Sequence, residues 1–447
     1  MNLSNIGLSG VLAAQYGLST AANNMSTGPF ITGYSRREVI FSALPSGGVQ
    51  VHGQVRINDI YVTKQLWGAN ASYQQYQKSN HYYNELQSLT SVGPKSTAGY
   101  LGMNAFFDAL SSASHDPGKE ESRSALLNEA DSMVAQMNNR TDALQSQFNT
   151  VQSDRSSVVS GANDLAEQLA KINKQIVANP ENLALLDTRD ALVKDLSALT
   201  GARANIMSDG TVNMSLKGGQ PLVVGNKAYE MKVTQKDGQQ QISIVSGEQE
   251  FSVSREDLGG ELKGLDDFEY DSLRPNMAAH KQLMQETANR YNEQLAKGYD
   301  QNGDPGKPLF EFDVSTGRLK TTGLKPAELA FSSSNDPGEI AGNSDNLVAL
   351  IKIKDERFEL EGYGETSLEG ALPMMMNKVG SQARNNELNM DTENARLNAV
   401  NDRWLEISGI STDQEALSMS RYFQVSQANL KVLEVANRLF DHTMNAL

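Results

Sequence analysis

From Ala130 to Ile176 apolar side chains recur at alternating steps of four and three without a slip, and only Thr141 and Arg155 in that series are polar. A heptad pattern sustained this long specifies one coiled-coil-like helix with an apolar stripe that other helices must cover. At 1.5 Å per residue it would run for roughly 70 Å. Asn179-Pro180 ends it, because the residue before a proline avoids the helical region. A shorter helix is expected over about 182–199, with Gly201 as its C-terminal cap.

The chain ends add a second constraint. The first 35 residues carry no charged side chain, yet Leu8, Val11 and Leu18 recur among their Asn, Ser, Gly and Ala at helical spacing. At the other end, Thr412-Asp413-Gln414-Glu415 has the form of a capping box, with Gly409 breaking the chain before it. One apolar row then runs through Phe423, Leu430, Leu433 and Phe440 to Leu447, and a second through Val425, Val432, Val435 and Leu439. A helix with two apolar rows needs two partners. The N-terminal segment supplies one; another molecule is expected to supply the other. Leu430 and Leu433 are expected to face one neighbour, and Val432 and Val435 another.

Between these ends the character changes twice. Short apolar runs separated by Asp209-Gly210, Gly218-Gly219, Asp237-Gly238 and Gly259-Gly260 indicate a small antiparallel β module. Gly93-Pro94 and Asp116-Pro117-Gly118 are breaks in the first helical half. The expected fold is mainly α with an inserted β domain: an elongated multidomain chain of long coiled-coil-like helices, with the N- and C-termini paired at one end. The segments are 1–70 and 404–447 as the two halves of an inner helical domain, and 71–201 as the first half of a second helical domain. The β insertion is 202–270, and the return leg is 271–403, with helices at about 271–297 and 365–403 around a turn-rich stretch at 298–344.

Composition excludes several functions. A net charge of −15 leaves no basic surplus for nucleic acid or an anionic membrane. The absence of Cys removes disulfides, thiol nucleophiles and thiolate metal sites. No apolar run is long enough to span a bilayer, and the N-terminus lacks the pattern of a cleaved secretory signal. The histidines at 52, 81, 115, 280 and 442 form no metal-ligand pair and read as solvated or interface residues. There is no nucleophile elbow and no phosphate-binding glycine loop, so no enzyme activity and no cofactor are expected. Asp187 and Asp190, three apart on a helix with Arg189 between them, read as a structural ion-pair group. Asp300 to Glu311 carries acidic positions of a calcium loop, but Pro305 and Lys307 stand where that loop needs glycine and an apolar residue. It reads as an acidic turn.

Leu8-Ser9-Gly10, Asn23-Asn24 and Thr32-Gly33-Tyr34-Ser35-Arg36 resemble the N-terminal signature of the bacterial flagellar axial proteins. Leu185-Leu186-Asp187-Thr188-Arg189-Asp190, Gly298 to Asp304, and the tail from Ser408 through Asp413, Tyr422 and Asp441 are similar to the hook–filament junction members of that family. Met25 to Phe30 departs from the family's usual Ile-Ala-Asn run. The stretch between Phe310 and Asn346 is too short for the second β domain of fuller members. The resemblance implies paired terminal helices in an inner layer, a helical second layer, and outward β domains. It implies a structural protein of the flagellum, exported unfolded through the type III channel from the cytoplasm and located outside the cell. The partners it implies are further copies in a ring-like homo-oligomer, the hook protein, a second junction protein on the filament side, and an export chaperone covering the C-terminal helix. A rod or hook subunit is the alternative, against which the Leu-Leu-Asp-x-Arg-Asp and Asn-Gly-Asp segments speak. The assembly interface is expected at Leu8, Val11, Leu18, Phe423, Leu430, Val432, Leu433, Val435 and Phe440.

Overall fold

The computed structural model describes residues 3–28, 33–90, 101–236, 238–340 and 342–445. Gly93-Pro94, Asp237, Thr32 and Leu447 of the sequence reading lie outside the described residues. Helix α1 (Leu3–Thr27) leads through a hairpin, β1 (Arg37–Ala43) and β2 (Val49–Arg56), into α2 (Ile60–Thr90). Next come α3 (Met103–Ala113), α4 (Glu120–Ala178) and α5 (Leu183–Thr200). Strands β3 (Arg203–Ile206), β4 (Val212–Ser215), β5 (Pro221–Val224), β6 (Lys227–Ala228), β7 (Glu230–Lys236), β8 (Gln239–Ser246) and β9 (Gln249–Ser252) follow. Helix α6 (Gly260–Phe268) continues through a π turn (Glu269–Leu273) into α7 (Arg274–Leu295). Then come β10 (Phe310–Asp313), β11 (Arg318–Thr321), α8 (Asp345–Lys352), β12 (Arg357–Leu360), β13 (Gly364–Ser367), α9 (Leu368–Ser408) and α10 (Thr412–Asn445). The chain is mainly α-helical with small inserted sheets.

Several elements follow directly from the sequence. The heptad segment lies inside the 59-residue α4. Helix α5 is capped by the Asn182 side chain at its start and by Gly201, with φ of 68°, at its end. The β module is two antiparallel sheets, β3-β4-β5-β6 and β7-β8-β9. Other elements correct the reading. The hairpin β1–β2 sits inside the segment expected to be helical, turning at Gly47 and Gly48 with φ of 88° and 101°. Its signal, Gly-Gly between two alternating runs, is present in the sequence. Hairpins β10–β11 and β12–β13 are likewise additional strands. The helix expected at 271 starts at Gly260 and is interrupted by the π turn. Pro275 has no N–H for the carbonyl of Asp271, which accepts instead from Gln382 Nε2 at 2.8 Å. The cap of α10 is Ser411, whose hydroxyl accepts from the Gln414 N–H, and Glu415 is turned elsewhere.

The chain divides into two compact units: Met1–Gln75 with Ser157–Lys263 and Asp391–Leu447, and Tyr76–Ser156 with Gly264–Met390. The first unit holds both terminal helices together with β3–β9, where the sequence reading sets 202–270 apart as a domain of its own. There the sheets are tied to α4 by asparagines. Asn173 donates to the carbonyls of Val212 and Gly225 and accepts from the Val212 N–H, and Asn163 both donates to and accepts from the backbone of Met231.

The second unit has an apolar core from α3, the first part of α4, α7, α8 and the start of α9. Arg155, the charged residue in the heptad stripe, is buried there and pairs with Glu269 at 2.5 Å. Glu269 also holds Arg274 at 2.7 Å, so the π turn brings one carboxylate to two guanidinium groups. His280 is not a solvated or interface residue: it is buried in this unit and donates from Nε2 to the Met137 carbonyl at 2.9 Å.

Candidate assembly interface

Helix α1 presents Gly7, Gly10, Ala14, Gly17, Ala21 and Asn24 at steps of three and four, and all six are buried. They form the seam against α10. A Cβ on Gly7 would come within 2.9 Å of Leu433 Cγ, and one on Gly17 within 2.6 Å of the Tyr422 ring. A Cβ on Gly10 would collide with the Asn429 amide. Rising numbers on α1 meet falling numbers on α10, so the two helices are antiparallel. Glycine inside a helix costs about 1 kcal/mol of propensity relative to alanine. Here it lets the two backbones approach more closely than larger side chains would allow.

This seam runs along the edge of the first apolar row of α10, taking in Leu433, and leaves the second row clear. Phe423, Leu430, Val435 and Phe440 remain exposed, and Val432 is half-buried. Leu433 corrects the reading: it covers Gly7 of its own chain instead of facing a neighbour. On α1, Leu8 is exposed, Leu18 half-buried and Val11 buried, so Val11 is not free to meet another molecule. The sequence reading missed Gly7, Gly10, Gly17, Tyr422 and Asn429. Its search for large apolar residues passed over a heptad of small ones, although that spacing is visible in α1.

At the far end of the seam two of the family-like motifs meet. Asn24 donates to the Arg37 carbonyl at 2.9 Å and accepts from the Arg37 N–H and the Tyr34 hydroxyl. Arg36 pairs with the buried Glu415 of α10 at 2.6 Å, and its N–H donates to the Ser408 carbonyl. Asp187 faces Arg56 at 2.9 Å and Arg37 at 3.2 Å, while Arg56 reaches Asp190 at 2.7 Å and Arg189 reaches the same carboxylate at 2.7 Å. Burial pushes the Asp187 carboxyl up, against the pull of Arg56 and Arg37. Burial likewise raises the Tyr34 hydroxyl. The chemistry is that of a lock: the Tyr34-Ser35-Arg36-Arg37 turn is clamped to α5 on one side and to α10 on the other.

Among the described residues no three His, Asp or Glu side chains gather as metal ligands. Asp300 Oδ1 accepts from the N–H groups of Asn302 and Asp304, closing its own turn at Gly303. Among the described residues no helix is long and apolar enough to cross a membrane.

Comparison with known families matches residues 85–310 to the family described as the flagellar hook-associated protein FlgK helical domain. The chain is 24% identical to Flagellar hook-associated protein 1 of Salmonella typhimurium, with 99% of each chain covered, and 24% identical to that of Escherichia coli at the same coverage. To the protein of that name from Bacillus subtilis it is 23% identical over 97% of this chain and 96% of the other. The Salmonella alignment runs over 555 positions against the 447 residues here, so that relative carries residues this chain lacks. The solved flagellar hook junction protein FlgK from Burkholderia pseudomallei has a like fold, with a TM-score of 0.68 at 15% identity, covering 76% of this chain and 99% of that one. With half of its length matched to that helical domain, the chain belongs to the flagellar hook-associated protein FlgK family.

Proposed function

We propose that this chain assembles into the junction between hook and filament through the faces of the terminal helix pair that its own seam leaves open. The chain is a structural component of the bacterial flagellum, and its work there is mechanical. The observation that carries the reading is the course of the α1–α10 seam along the edge of the first apolar row of α10, with the second left clear. Phe423 and Leu430 flank the seam on one side, Val425, Val435 and Leu439 on the other, and all five are exposed. Contiguous exposed apolar rows of this kind mark protein interaction surfaces. Neighbouring copies cover them in a closed ring; the hook protein lies on one side of it and a second junction protein on the other. Before export a chaperone shields the same rows, and the uncharged first 35 residues direct the unfolded chain through the type III channel to the cell exterior.

The test is Val435→Asp. A carboxylate buried without a partner costs several kcal/mol, so assembly is expected to fail. Val435 is exposed in the isolated subunit, so thermal unfolding should hardly move. Cells are expected to carry hooks without filaments and to shed filament subunits. A mutant that swims normally would overturn the reading.

A further inference from the structure

His280 keeps one ring nitrogen that the fold does not use. Its Nε2–H donates to the Met137 carbonyl, which can only accept, so the lone pair of the neutral ring is on Nδ1. The residue is 1% exposed, and among the described residues Nδ1 is buried without a hydrogen-bond partner. A buried acceptor left unpaired is destabilising. A metal-ligating imidazole has this same form: one nitrogen donates to a carbonyl and orients the ring, and the other presents its lone pair. His280 lines a cavity of about 270 Å³ in the second unit, between α4, α7 and the turn of the β10–β11 hairpin. Met277 and Met284 line it too. They stand three residues before and four after His280 on one face of α7. Side chains at those spacings are neighbours on a helix, and Nδ1 is the ring nitrogen nearer the helix backbone. A thioether swings on several rotatable bonds, so both sulfurs reach toward that lone pair. Met284 is fully buried, with the Thr141 hydroxyl of α4 3.9 Å from its Sδ, and Met277 is half-buried.

The ligand chemistry selects the ion. No described residue lining the cavity is acidic, so hard cations such as calcium and magnesium find no carboxylate there. The chain has no cysteine, and thioethers are its only sulfur ligands. Two thioethers and an imidazole are soft, neutral donors, the set that favours Cu(I). The surrounding charge favours an ion of single charge. Lys281 lines the cavity, and Arg140 is near enough to lower the basicity of His280, so repulsion would be twice as strong for a divalent ion. Both cations are held elsewhere: Lys281 Nζ on the Val314 carbonyl at 3.0 Å, and Arg140 on Asn276 Oδ1 at 3.1 Å. Burial keeps the imidazole unprotonated at neutral pH, so no proton competes for its lone pair. We infer that Met277, His280 and Met284 form a three-coordinate site for a soft monovalent metal ion, Cu(I) or its analogue Ag(I). The sequence reading sought paired histidines and passed over this Met-x-x-His-x-x-x-Met spacing.

The test is equilibrium dialysis of the purified full-length chain against micromolar Cu(I), kept reduced by ascorbate. One ion per chain is expected to be retained. Met277→Leu combined with Met284→Leu conserves volume and leaves both nitrogens of His280 as they are, so the variant should fold. It should bind Cu(I) at least about tenfold more weakly, and His280→Gln should do the same. If His280→Gln does not fold, the double methionine variant decides. A second measurement locates the ion. Ag(I) is added to the chain carrying carbon-13 methyl-labelled methionine, and the signals of Met277 and Met284, assigned from the single leucine variants, should shift before those of other methionines. No retention at micromolar Cu(I) would overturn the site. So would undiminished binding by the double methionine variant, or methyl shifts that begin at an exposed methionine such as Met207, since both assign the ion to thioethers elsewhere.

Discussion

Asn429 of α10 fills, with its side-chain amide, the space over Gly10 of α1 that a Cβ would occupy. The same amide donates to the Val425 carbonyl one turn earlier, so it is held where it stands. The terminal pair therefore depends on missing side chains as much as on present ones.

Gly10→Ala with Gly17→Ala should separate propensity from packing. Each change favours the isolated helix by about 1 kcal/mol. Each also drives a methyl into Asn429 or the Tyr422 ring. The expected result is undiminished helicity by circular dichroism, faster proteolysis of both chain ends, and loss of filaments. Unchanged proteolysis would show that the seam tolerates a wider spacing.

Asp187→Ala removes the carboxylate shared by Arg56 and Arg37. Arg56 keeps Asp190, so the loss is expected to be about 2–4 kcal/mol, less than for a buried charge left wholly unpaired. Denaturant unfolding of the variant beside Asp187→Asn, which retains hydrogen bonding, measures it. Equal stabilities of both variants and the parent would make the lock ornamental.

Glu269 and Arg155 should not be equivalent. Glu269→Leu deprives both Arg155 and Arg274 of their common carboxylate, whereas Arg155→Leu leaves Glu269 paired with Arg274. A loss of roughly 3–5 kcal/mol is expected for the first and distinctly less for the second. A double-mutant cycle gives the coupling directly.

His280 sets an acid limb. Burial, then the neighbouring Arg140, lowers its value from 6.5 to about 3. A folded-state value below the unfolded one means that the unfolded chain takes up the proton first. The contribution is complete above the ordinary histidine range and is lost as pH falls from 6.5 toward 3, by up to roughly 5 kcal/mol. His280→Gln keeps a donor for the Met137 carbonyl and should flatten stability against pH between 6.5 and 4.5. A slope identical to that of the parent would assign the acid limb to other groups.

The sequence by itself determined the long helix, the small helix with its Gly201 cap, the β module and the pairing of the chain ends. The helices and the β module are set by local periodicity and turn chemistry, which need no knowledge of distant residues, and the pairing of the ends followed from the partners that a helix with two apolar rows requires. Arg155 in the stripe was legible as an anomaly, but its partner was not, because Glu269 is brought to it by a π turn that a proline far along the chain permits. The face of α10 that meets α1 was likewise decided only in three dimensions. Two apolar rows suggested that one of them would be buried. The close approach allowed by Gly7, Gly10 and Gly17 set the seam at the edge of the first row, covering Leu433 and leaving Phe423, Leu430 and the second row open. The Tyr34-Ser35-Arg36-Arg37 turn and the Asp187–Asp190 segment were visible as separate motifs. That they form one ion network depends on folding that joins positions about 150 residues apart, and no local pattern encodes that meeting.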